Sequence, residues 1–168
     1  MSAVEQRVRL MLGRATARLI DDSKQEQELQ LDLLADETLD AVERLQDYGF
    51  TSVPHADAEV VVACLGGLRS HAVALRVADR RYRLKGLEAG EVALFDDLGN
   101  VIKLGRERIE IVAVSELKVT APLIKIEGDV EVTGTVTVSE DVVGGGKSLK
   151  NHVHGGVQAG SGQTGAPA

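Results

Sequence analysis

Apolar and polar residues alternate along most of this chain, and its first stretch repeats at helical spacing. Valine and leucine recur every three to four positions in residues 3–12, which predicts a short N-terminal helix. Residues 15–20 and 28–34 alternate with a period of two, as strands with one buried face do. Four further strands are predicted, at 58–65, 69–77, 91–96 and 101–104. Short strands at this spacing, joined by turns at Gly66-Gly67 and 98–100, predict a small barrel or sandwich.

Residues 36–48 fit two structures equally well from their pattern. Leu39, Val42 and Leu45 lie at helical spacing, and Asp36 or Thr38 could cap such a helix. The flanking segments, however, all have the alternation of strands. Helix and strand therefore both stay open for this stretch.

A second zone, residues 106–143, alternates almost without interruption and turns only at very short sites such as Ala121-Pro122 and Gly128-Asp129. A single-layer ribbon of this kind leaves strand edges unpaired and has no second layer to cover its valines and isoleucines. Three intertwined chains would solve both problems, which predicts a triple-stranded β-helix. The alternative is that the ribbon forms the last two hairpins of a monomeric sandwich.

The third zone, residues 144–168, begins with three glycines and then resumes an extended run over 147–154. In an extended strand, His152 and His154 would point to the same face. Two imidazoles from each of three chains would form an octahedral all-nitrogen site, which suits iron or nickel better than tetrahedral zinc. The alternative is a solvated, unliganded tail, as glycine-rich termini often are.

Composition narrows the function further. The 168 residues carry a net charge of −7, and aromatic residues make up only 2% of the chain. This disfavours nucleic acid as a partner and leaves few aromatic side chains for stacking on bases or sugars. Cys64 is the only cysteine and lies in an apolar run, so we expect a buried hydrophobic residue and not a nucleophile. With no run of 18 apolar residues and no secretory segment, we expect a chain made and kept soluble in the cytoplasm.

Four segments in order along the chain resemble a known family. They are the corner at 48–54, the strand at 90–95, the ribbon at 121–130 and the His152-Val153-His154 triplet. Together they are similar to the central tail spikes, or baseplate assembly protein V, of contractile-tailed bacteriophages, in particular the Mu-like members. The resemblance covers most of the chain and favours a strand within 36–48.

The resemblance implies an all-β protein in three parts. Residues 1–105 would form the N-terminal helix and an OB-like barrel that docks into the baseplate. Residues 106–143 would form an intertwined trimeric β-helix, and 144–168 a metal-capped apex. In the family, the apical histidines of three chains bind one iron ion, which here would be held by His152 and His154. Family members also hold calcium or chloride near the axis, but no motif of this sequence places such ions.

The function implied is a non-enzymatic, membrane-piercing spike at the tip of the tail baseplate of the virion. Its expected partners are two further copies of itself, the baseplate hub and tail-tube proteins, and the host outer membrane, with no nucleic acid. The chain would be made in the host cytoplasm. The alternative is a metal-binding oligomeric enzyme that uses the His-x-His site, which would need an open coordination position on the metal.

Overall fold

A computed structural model describes residues 2–33, 37–153, 155–156 and 160. The chain divides into two compact units, residues 1–118 and 119–168, which are treated separately below. Within the described ranges, no helix has both the length and the apolar character needed to cross a membrane.

The first unit opens with the predicted helix and continues with five strands. Helix α1 (Ala3–Leu10) begins with a capping box, in which the Ser2 hydroxyl accepts from the Glu5 amide and the Glu5 carboxylate accepts from the Ser2 amide. The strands that follow are β1 (Leu12–Asp21), β2 (Gln27–Leu33), β3 (Glu37–Arg44), β4 (Glu59–Cys64) and β5 (Ala72–Ala78).

These five strands close into a barrel in the order β1-β2-β3-β5-β4, with β4 paired back to β1. Strands β3 and β5 pair in parallel, and the other four strand pairs of the barrel are antiparallel. A five-stranded closed barrel with this order is OB-like, as predicted. Its interior contains no aromatic residue and is filled by small and aliphatic side chains. They are Ala15, Ala17, Leu29, Leu31, Leu33, Val42, Val60, Val62, Cys64 and Ala74.

Residues 37–44 form a strand, so the helical reading of this stretch is wrong. The pairing of β2 with β3 skips between Leu29 and Leu31, and Ala41 adopts a φ of 52° at this bulge. The extra residue brings Leu39 and Val42, which are three apart, towards the same core. The bulge therefore produces the three-residue spacing that suggested a helix.

The connection from β4 to β5 is longer than the sequence indicated. Two 3-10 turns, Leu65–Gly67 and Arg69–His71, precede β5, so the strand predicted from residue 69 begins only at Ala72. Gly66 and Gly67 have φ angles of 64° and 73°. Two successive residues in the left-handed region turn the chain before β5 can pair with β4.

The backbone of Gly67 lies directly against α1. We therefore predict that this close contact fixes the helix to the barrel. A Cβ at Gly67 would lie 2.6 Å from the Arg7 carbonyl oxygen, whereas a Cβ at Gly66 would meet nothing within 4 Å. We expect Gly67→Ala to detach α1 and to raise amide hydrogen exchange in residues 3–10. Gly66→Ala is the matched control, because it carries the same left-handed strain of about 1–2 kcal/mol without the clash. Equal exchange in the two variants would contradict this account.

A second, three-stranded sheet completes the first unit. Strands β6 (Val92–Phe95), β7 (Val101–Leu104) and β8 (Ile109–Val112) pair antiparallel in that order. The turn between β6 and β7 lies where it was predicted. It is stabilised by one Asp96 carboxylate oxygen, which accepts from the amides of residues 98, 99 and 100 at 2.8–3.0 Å. The sequence assigned β8 to the ribbon, but in the structure it pairs with β7 along its whole length.

Glu91 connects several parts of this sheet. Its side chain is 7% exposed, its carboxylate lies 2.9 Å from Lys103 Nζ, and it accepts from the Glu88 amide at 2.9 Å. The Glu88 amide and then Lys103 lower the pKa of Glu91 below its ordinary value. The carboxylate therefore stabilises the fold above the ordinary glutamate pKa, and this contribution is lost as the pH falls through the lowered value.

We expect Glu91→Gln to lower the melting temperature at about pH 7, and the difference from the unmodified protein to shrink as the pH falls below the ordinary glutamate pKa of about 4.3. Thermal unfolding followed by circular dichroism at several pH values measures this. Glu107→Gln serves as control, because the exposed Glu107 makes no ion pair with any described residue. A Glu91→Gln deficit that stays constant across this pH range would contradict the role assigned to the carboxylate.

The ribbon of the second unit has no regular pairing with any described part of the chain. Residues 119–140 are all described, all are exposed, and none of their backbone groups bonds a backbone group of a described residue. The alternating apolar side chains are exposed too, among them Ile126, Val130, Val132 and Val136. A single chain thus leaves both the strand edges and the apolar face of this segment uncovered.

The second unit regains regular structure in a small hairpin. Strands β9 (Val143–Gly144) and β10 (Lys147–Ser148) pair antiparallel around Gly145 and Gly146, whose φ angles are 56° and 76°. Two left-handed residues of this kind form the tight turn that favours a two-residue hairpin. The extended run predicted over 147–154 is wrong at residues 149–151, which form a turn, and the His152 amide donates to the Ser148 carbonyl at 3.1 Å. Residue 154 lies outside the described residues.

Candidate functional site

The hairpin at residues 141–152 is organised by one carboxylate. Asp141 accepts from the Lys150 amide at 3.0 Å. The Ser148 hydroxyl first, and then the Lys150 amide, lower the pKa of Asp141. The Ser148 oxygen in turn accepts from the Asn151 amide at 2.8 Å. Asp141 thus contacts the middle of the turn that leads from Ser148 to His152.

His152 has a defined ring orientation at the end of this turn. Its Nδ1 lies 3.1 Å from the Ser148 carbonyl oxygen and 3.0 Å from the Leu149 carbonyl oxygen. A carbonyl can only accept, so Nδ1 is the protonated nitrogen that donates to both. In the neutral ring the lone pair then resides on Nε2. Histidines that bind metals commonly donate their other nitrogen to a carbonyl in this way, so the donor chemistry of His152 fits a metal ligand.

The predicted partner ligand, His154, lies outside the described residues. Among the residues that the structure does describe, no group of three or more histidine, cysteine or acidic side chains gathers to hold a metal ion. The pairing of His152 with His154 on one metal thus stays a prediction.

The other histidines lie in the first unit. His55 Nε2 is 3.2 Å from the Asp97 carboxylate, and its ring centroid is 4.8 Å from that of Tyr82. The sequence gave no sign of this contact, because Asp97 lies on the turn between β6 and β7, far from His55 along the chain. His71 is exposed in the second 3-10 turn.

Cys64 is buried in the barrel core, as the sequence indicated. Its sulfur lies 3.3 Å from Arg69 Nη1. Buried among aliphatic side chains, the thiol packs as a hydrophobic residue.

Comparison with known proteins gives two family matches and two close relatives. Residues 14–81 match the family described as Bacteriophage Mu Gp45, N-terminal, and residues 148–168 match the GpV Apex motif. The baseplate puncturing device gp45 of Escherichia phage Mu is 36% identical, with 96% of this chain and 91% of the relative aligned. The Mu-like prophage FluMu protein gp45 of Haemophilus influenzae is 32% identical, over 88% of this chain and 87% of the relative.

The barrel match and the terminal motif define an all-β phage tail protein with an apex at its C-terminal end. The extent of the alignment with the phage Mu protein identifies it more closely. The chain belongs to the Mu gp45 family. The family predicted from the residues is thereby confirmed.

Proposed function

We propose that this protein is the central spike of a contractile phage tail, a trimer that pierces the host outer membrane during infection. As a member of the Mu gp45 family it is a baseplate component of the virion, and its role is structural and not enzymatic. Synthesis in the host cytoplasm stays an expectation.

The observation that carries the proposal is the exposed ribbon at residues 119–140. Its apolar side chains alternate with polar ones, yet none is buried within the chain. Burying apolar surface contributes about 25 cal/mol per Å², so a segment with this many exposed valines and isoleucines is strongly favoured to associate. Association with two further copies would cover this face at the axis of a triple-stranded β-helix.

The sequence of the ribbon repeats in a way that suits such a helix. Residues 127–132 read EGDVEV and residues 133–138 read TGTVTV, so glycine and two valines recur every six positions. Identical short units can stack along an axis, and each can use the strand edges of the neighbouring chains for its backbone hydrogen bonds. A rod built this way has no free edge along its length.

The apex is proposed to bind one iron ion through His152 and His154 of each of three chains. The donor chemistry of His152 supports this, since Nδ1 donates to two carbonyls and Nε2 carries the lone pair. Bound there, the metal would cross-link three chain ends, where termini otherwise loosen. Calcium or chloride ions, which the family resemblance allows, have no residues assigned to them here.

The barrel is proposed to attach the spike to the baseplate hub and tail-tube proteins, while the ribbon and apex face the host outer membrane. Sheath contraction would then drive a narrow, edge-free rod through the bilayer. The enzyme alternative is not favoured, because the related phage Mu protein is a puncturing device. An ion bound by six imidazoles would also have no open position for a substrate.

Immunogold electron microscopy of intact virions tests the proposal. Antibodies raised against the barrel should label the distal end of the baseplate and no other part of the particle. Virions that carry a ribbon-disrupting variant should still adsorb to cells but fail to deliver DNA. Label on the sheath or head, or full infectivity of that variant, would overturn the assignment.

A further inference from the structure

The hydrogen bonds around His152 suggest how the apex prepares for a metal before one binds. This inference rests on the proposed apical metal site and deepens it. Asp141, which precedes the hairpin, reaches across it and accepts from the Lys150 amide at 3.0 Å, and the Ser148 hydroxyl contributes to lowering its pKa. Ser148 follows the Gly145-Gly146 turn on the second strand. The carboxylate thus ties together two segments that the hairpin brings side by side.

Ser148 connects this carboxylate to the imidazole. Its hydroxyl oxygen accepts from the Asn151 amide at 2.8 Å, and its carbonyl oxygen accepts from the His152 amide at 3.1 Å. The same carbonyl, with that of Leu149, accepts from His152 Nδ1. Both carbonyls are held by the turn that Asp141 closes, so the direction of the imidazole depends on the carboxylate.

We propose that Asp141 and Ser148 are positioning residues, which hold His152 as the Nδ1-protonated tautomer with Nε2 presented as the metal-binding atom. Neither residue binds the metal in this arrangement. A ring already held in one tautomer and one orientation loses less freedom when a metal binds. Partners of this kind typically change metal affinity by about ten- to a hundred-fold when they are removed.

The chain offers a matched control beside the clamp formed by Asp141, Ser148 and His152. Glu140 is the adjacent carboxylate, and it makes no hydrogen bond or ion pair with any described residue. Glu140→Gln and Asp141→Asn therefore remove the same charge one position apart, and only the second removes an acceptor of the clamp. Ser148→Ala removes the hydroxyl at the other end, and Ser148→Thr restores one.

The first readout is the tautomer of His152 in metal-free protein. Full-length protein labelled with ¹⁵N-histidine is studied by NMR at about pH 8, where imidazoles are neutral, and the His152 signals are assigned by their loss in His152→Ala. We expect an Nδ1-protonated ring in the unmodified protein and in Glu140→Gln. In Asp141→Asn and Ser148→Ala we expect a mixture of tautomers, and in Ser148→Thr a return towards the unmodified spectrum.

The second readout is the binding of Fe²⁺ under anaerobic conditions, with the mass in solution as a check on assembly. Affinity should fall about ten- to a hundred-fold in Asp141→Asn and Ser148→Ala, and less than about two-fold in Glu140→Gln. The oligomer should be unchanged in all three. If Asp141→Asn fails to fold, the Ser148→Ala and Ser148→Thr pair decides the question.

The two readouts separate this inference from the proposed function. An unmodified protein that binds no iron would reject the metal site, while the tautomer measurement would still test the clamp. A His152 ring protonated on Nε2 in the metal-free protein would overturn the inference. So would clamp variants whose tautomer and affinity match those of Glu140→Gln.

Discussion

Replacing Val132 with aspartate is expected to convert the proposed trimer into monomers. In the single chain the Val132 side chain is 53% exposed and lies between Glu131 and Thr133 in the alternating ribbon. If three ribbons meet on an axis, three aspartates would be buried together there, each at a cost of several kcal/mol with no partner charge. Sedimentation velocity should then show a single species near the mass of one chain, with the barrel still folded by circular dichroism.

Thr133→Asp is the matched control, because it introduces the same charge on the opposite face of the same strand. The variant should remain a trimer and lose little stability, since the new carboxylate stays in water. If Thr133→Asp dissociates the protein and Val132→Asp does not, the face assigned to the axis is the wrong one. If neither has an effect, the ribbon does not form the interface.

Exchanging both His152 and His154 for alanine is expected to remove the iron completely while the trimer persists. The metal-bound protein should contain about one iron per three chains by elemental analysis, and the double variant none. The trimer should survive because the valines and isoleucines of the ribbon bury far more surface than the apex does. The damage should be local, with faster proteolysis after about residue 151.

His71→Ala is the control for this experiment, since it removes an exposed imidazole from the first unit. It should leave the iron content unchanged. Metal that persists in the double variant would show that the ligands lie elsewhere in the chain. One iron per chain, in place of one per three chains, would also reject a site shared on an axis.

The barrel could be predicted from the sequence because its strands follow the simplest rule. Leu29, Leu31 and Leu33 alternate strictly, and all three are buried. The pattern failed where the backbone departs from that rule. At Ala41 a bulge shifts the alternation by one residue, so a strand acquired the spacing of a helix. Bulges depend on the partner strand as well as on local sequence, and the sequence alone does not show the partner.

The candidate site could be predicted from the sequence only in part. The residue types and spacing indicate His152 as a ligand, but the clamp of Asp141, Ser148 and His152 forms only because a hairpin brings Asp141 beside the turn that follows Ser148. The sequence pattern predicts an extended run over 147–154, because the three glycines before it indicate a break in the ribbon and not a two-residue turn within a hairpin. The pairing of the ribbon could not be predicted for a different reason: in the proposed trimer, the partners of its strands lie in other copies of the chain.

The number of chains in the native particle tests the central claim most directly. Sedimentation equilibrium of the full-length protein at micromolar concentration should give a mass of three times 17.9 kDa, unchanged on dilution. Intertwined strands must separate before the chains can part, so the mass should not fall with concentration over hours. A stable species of one chain at this concentration would contradict the intertwined spike.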